Sequence, residues 1–134
     1  MKLLNKIKVF LGIKVPVKIE RGMRITRAAE LKAIIAPISP ENFIVGMFGD
    51  GGPINSCFIG HIHRAVSPIG PDDVSGNNNG YGARAVVERF LREKHKSDAT
   101  AFEVNDYSYV NGYNEPEIKD RLTHLVNDMI RAGY

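Results

Sequence analysis

Tryptophan is absent from these 134 residues, and cysteine occurs once, as Cys57. A lone thiol excludes a disulfide within the chain. With no Cys-x-x-Cys pair there is no nucleus for a structural zinc site either, and a reducing cytoplasm suits such a composition. Long apolar runs are also missing: no window approaches the roughly 18 apolar residues of a membrane-spanning helix. Near the start, Lys6 and Lys8 break the run Leu3, Leu4, Ile7, Val9, Phe10, Leu11, leaving no h-region or cleavage site of an export signal. P-loop and dinucleotide fingerprints are lacking. So are a zinc finger, an aromatic RNP strand and a convincing helix-turn-helix, and these absences remove the common nucleic-acid readers.

What is present reads as one domain over 1–134. The chain is 43% hydrophobic and 25% charged, enough apolar surface for a core that folds unaided. Residues 1–12 form an amphipathic N-terminal segment whose apolar stripe suits core packing or a homodimer contact better than a membrane surface. The net charge of +3 is concentrated toward the front. It permits nucleic acid, but without a reading element nucleic acid is the weaker partner.

The expected fold is α+β and mainly α, with about four packed helices and a small antiparallel β element. Alternation over 13–25 predicts a hairpin turning at Arg21-Gly22. Helical spacing predicts helices around 26–36, 54–66, 82–95 and 115–132, the first stopping before Pro37. For the last, Asn114 is the expected cap with Glu117 as the capping-box carboxylate, and Gly133 ends it. Residues 102–113 read as short extended pieces between turns. Between them, 67–82 is a polar loop long enough to be functional.

Three chemistries are weighed. Gly60-His61-Ile62-His63 resembles the Gly-His-x-His ligand string of calcineurin-like metallophosphoesterases, but that family's other ligand strings are missing, and on a helix i and i+2 do not share a face. No metal or cofactor is therefore expected, with His61 packed and His63 exposed. A nucleophilic Cys57 near a helix start, with His61, His63, His95 or His124 as base and Asn105 or Asp106 to orient it, is a second candidate set, of which Cys57, His61 and Asp106 are the leading members. A small inward cysteine is the simpler reading. Paired carboxylates at Asp72-Asp73, Asp50 and Asp106 lie in polar stretches where solvation is expected. The leading expectation is a non-enzymatic binding protein that engages a host protein or small anionic ligand. Its binding residues would be Asn77, Asn78, Asn79 and Tyr81 of the loop, with Tyr107, Tyr109 and Tyr113, because tyrosine joins a rigid contact area to a polar tip. The alternatives are a small hydrolase or transferase using Cys57 or a histidine, and a nucleic-acid-binding protein.

Segment order adds a resemblance. Phe43 to Gly52, then Cys57-Phe58-Ile59-Gly60, then Asn105-Asp106 and the closing helix resemble an uncharacterised bacterial and phage domain family over roughly 25–132. Its tryptophan before Asn-Asp is Val104 here. The resemblance implies a mainly helical fold and a phage-encoded accessory role, and it supplies no catalytic residue. Asn105-Asp106 reads as structural, since both side chains readily bond nearby backbone.

Overall fold

The computed structural model describes residues 17–46, 55–73 and 80–134. Five α-helices lie among them: α1 (Ala28–Ile35), α2 (Phe58–Val66), α3 (Ala83–His95), α4 (Ala101–Asp106) and α5 (Ile118–Arg131). The mainly helical expectation holds. The β element does not appear among the described residues, where pairing is confined to two isolated bridges, a parallel one joining Phe43 to Ser56 and an antiparallel one joining Val110 to Tyr113. At Arg21-Gly22 the chain turns as expected, with Gly22 at φ +90°. The flanks do not pair, because the Gly22 and Ile25 amides donate to the Val66 and Tyr81 carbonyls instead of across a hairpin. Residues 13–16 of that expected hairpin, and all of 1–12, lie outside the described residues.

Two further expectations are corrected. The stretch read as extended begins with α4, whose start follows the capping-box pattern: Thr100 Oγ1 accepts from the Glu103 amide, and the Glu103 carboxylate accepts from the Thr100 amide. The last helix starts later than expected, with Glu117 at its N-cap. Asn114 is exposed and upstream of it. Gly133, at φ +87°, ends the helix as read.

α2 is the centre of the molecule. Phe58 to Arg64 and Val66 are all buried, because α1, α3 and α4 each pack against it. A helix packed among three others buries polar residues along with apolar ones. This overturns the exposed reading of His63, which is 0% exposed and donates from Nε2 to Asp73 Oδ2 at 2.8 Å. Ser67 Oγ donates to the same oxygen at 2.6 Å. Asp73 is thus buried, not solvated, while Asp72 is exposed. The 67–73 portion of the polar loop is pinned by this contact.

Three helices end on a cation supplied from elsewhere in the chain. Lys119 Nζ donates to the Ala36 and Ile38 carbonyls after α1. Arg21 Nη1 donates to Arg64 and Ser67 after α2. Buried Arg121 spans the Val104 and Asn105 carbonyls that end α4, and also takes those of Glu115 and Pro116. A helix C-terminus leaves unpaired carbonyls and a partial negative charge, so each guanidinium or ammonium serves both. Part of the basic excess is therefore internal fastening.

Candidate functional site

Between α1, the start of the chain's described part and the outer side of α2 lies an open groove of about 490 Å³. Its floor is apolar, built from Ile19, Ala33, Ile34, Pro37, Ile38 and Ala65. Its polar groups are Arg21, Arg64, His61, Ser39 and Asn42, and Pro71 brings the long loop to its rim. Local structure places each of them. Pro37 stops α1 and turns the chain into the single 3-10 turn Pro40–Asn42. That turn delivers the Asn42 carbonyl, which faces His61 Nε2 at 2.7 Å.

A carbonyl only accepts, so His61 donates from Nε2 and its tautomer is set. Its ring meets Phe43 edge to face at 4.7 Å. Burial lowers the His61 pKa, opposed by the Asn42 bond and assisted by nearby Arg64. His61 is therefore neutral at pH 7, and the exposed charge on the groove is the Arg21 guanidinium, Arg64 being buried in its wall. Arg21 spends Nη1 on the end of α2, which fixes its stem and leaves the outer side of its fork facing solvent. The arrangement suits an anionic group lying above an apolar body.

The other candidates of the sequence separate. Cys57 is 2% exposed and sits at the N-cap position of α2. Burial pushes its thiol pKa up, against the pull of the Gly60 and Ile59 amides. Asp106 is engaged, accepting from the Gly46 amide at 2.9 Å and from Asn105 Nδ2. It also raises the Cys57 pKa, the opposite of what activating a thiol requires. Asn105 is fully buried and uses every polar atom of its amide: Oδ1 accepts from the Phe58 amide at 2.8 Å, and Nδ2 donates to the Ile44 carbonyl and to Asp106. The Asn-Asp pair is thus the clasp that holds the start of α2 against the 43–46 segment. Among the described residues no three His, Cys, Asp or Glu side chains are grouped to hold a metal ion, and no helix is long and apolar enough to cross a membrane.

The expected tyrosine cluster divides. Tyr107 and Tyr109 stack at 5.6 Å and are exposed. Tyr113, expected beside them as a binding residue, is 1% exposed and belongs to the core. Its hydroxyl donates to Asp128 Oδ2 at 2.9 Å, so His95 Nε2, 3.1 Å from the hydroxyl oxygen of Tyr113, donates to that hydroxyl oxygen. His124 lies against the ring and bonds Glu115. Tyr81 is half-buried, with φ +52°, and stacks on His63 at 5.3 Å. Asn77, Asn78 and Asn79 lie outside the described residues. The groove itself was missed, although Pro37 and Pro40 mark the turn that forms its end.

Comparison with protein-family models, with curated proteins and with solved structures finds no match to this chain.

Proposed function

We propose that this chain is a non-enzymatic binding protein whose groove over α1 and α2 takes a small ligand with an apolar body and an anionic group. The observation that carries this is the exposed Arg21 guanidinium beside a floor of aliphatic side chains. Arginine forks pair with carboxylate or phosphate while the floor covers the apolar part. The three candidate catalytic side chains favour binding over turnover: a buried thiol with a raised pKa, a carboxylate spent on an amide, and an imidazole nitrogen spent on a carbonyl.

A medium-chain carboxylate such as octanoate is a direct probe, with octylamine as its matched cation. In amide NMR titrations octanoate is expected to move the signals of Ala33, His61 and Ala65, and octylamine is expected to leave them in place. Ala65→Trp fills the groove and abolishes the effect. Equal responses to both probes, or an unaffected Ala65→Trp variant that keeps its melting temperature, would overturn the reading.

A second surface favours a host-protein partner: Tyr107 and Tyr109 form an exposed stacked pair, and Val45, next to the Gly46 that bonds Asp106, is 57% exposed. Exposed tyrosines flanked by an apolar residue are typical of protein contact anchors. The segment-order resemblance, which implies a phage-encoded accessory role, is consistent with such a contact.

A further inference from the structure

A second groove, of about 320 Å³, lies where the 24–26 segment crosses the start of α3. Among the described residues its lining is Arg24, Ile25, Thr26, Gly82, Ala85, Val86, Arg89 and Arg92, three guanidinia and no carboxylate. The crossing is close because position 82 is glycine: a Cβ there would stand 2.5 Å from the Ile25 carbonyl, and φ is +101°. The Ile25 amide, donating to the Tyr81 carbonyl at 2.7 Å, holds the segment down. Arg24 is thereby held against the face of α3 that carries Arg89 and Arg92, one turn apart.

Two carboxylates, Glu30 and Glu93, lie near the groove without being among its lining residues. Glu30 Oε1 accepts from the Thr26 and Arg27 amides, and Oε2 pairs with Arg27. Glu93 takes the Tyr134 hydroxyl, and Arg89 and Arg92 lie close enough to it to help lower its pKa. Arg89 lies over the Tyr134 ring, 5.1 Å from its centroid, which orients its guanidinium without neutralising it. Like charges gathered on one groove repel unless an anion joins them. We infer that this groove binds a phosphate-rich anion through Arg24, Arg89 and Arg92, a polyphosphate chain or the adjacent phosphates of a nucleic-acid backbone. Three forked donors match several closely spaced phosphates better than one carboxylate. This site is separate from the groove over α1 and α2 and stands or falls without it.

Inorganic tripolyphosphate is the probe, titrated calorimetrically at low and high salt against the full chain, an Arg89→Ala/Arg92→Ala variant, Arg24→Ala and Lys94→Ala. Lys94 is exposed on α3 but does not line the groove. Tripolyphosphate is expected to bind the unmodified chain more tightly than orthophosphate and to weaken as salt rises. The groove variants are expected to lose more than about tenfold in affinity while Lys94→Ala keeps it. A single-stranded oligonucleotide that tripolyphosphate displaces would identify the source as a nucleic-acid backbone, and a nucleoside triphosphate losing the same affinity in the same variants would identify a free nucleotide. Groove variants that melt like the unmodified chain and bind tripolyphosphate as well as it does would overturn the inference, as would equal losses in Lys94→Ala.

Discussion

Cys57, His61 and Tyr113 each carry a titratable group whose surroundings disfavour its charged form. For Cys57, burial outweighs the nearby amides. The thiol is therefore expected to resist a disulfide-exchange reagent in the native protein and to react only after denaturation, as timed absorbance assays with and without guanidinium would show. His61 titrates below the ordinary value of 6.5, burial being the main cause. An unfolded chain then binds the proton more readily than the folded one. The stability tied to this group is complete above about pH 6.5 and is lost as pH falls through the lower folded value. Denaturant midpoints measured from pH 7.5 to 5 should fall, and His61→Gln should flatten that slope. Tyr113 has the opposite sign of charge on the same logic: desolvation and the Asp128 bond raise its pKa. Tyr113→Phe removes two part-buried hydrogen bonds, to Asp128 and from His95, and is expected to cost about 1–2 kcal/mol in equilibrium unfolding.

At the scale of elements, the helices depend on bonds their own sequences do not contain. Asn105→Ala strands the Phe58 amide and the Ile44 carbonyl in a buried site. Its cost should be about 3 kcal/mol, well above the roughly 1 kcal/mol of Thr100→Ala, which removes one exposed cap. Paired chemical denaturation curves would rank the two. This dependence also separates what was legible in the sequence from what was not. Apolar spacing in α1, α2, α3 and α5 identified four helices, and Gly133 identified an end, because those signals are local. The Thr100-x-x-Glu103 box was equally local and was passed over for the β-formers and asparagines that follow it. Asn114 and Glu117 show the reverse error, a box pattern that the helix declines in favour of a later start. The burial of His63 and Asp73 was illegible for another reason. Each reads as polar on its own, and only the packing of three helices around α2 brings them together out of water. The two grooves were hidden likewise, since each joins residues from segments far apart in the chain.

For the whole molecule, one core runs through all five helices, from Ile25 and Leu31 to Leu125 and Met129. α2 lies within it while α3 and α5 keep a charged outer side. Amide exchange is accordingly expected to be slowest in α2, at about the rate set by global unfolding, and faster in the outer turns of α3. Exchange in α2 as fast as at the exposed end of α5 would contradict its central position. The charge distribution has a matching pattern. Lys119, Arg21 and Arg121 are tied to helix ends, whereas Arg24, Arg89 and Arg92 border a groove that no carboxylate lines among the described residues.

The clasp between Asn105 and Phe58 spans 47 residues, and its span bears on the order in which the chain becomes structured. During synthesis, α2 emerges well before the side chain that receives its first amide, and before the α3 and α4 surfaces that cover it. Only α1 of its packing partners precedes it, so the most buried helix is among the last to be completed and waits for Asn105 before its first amide is paired.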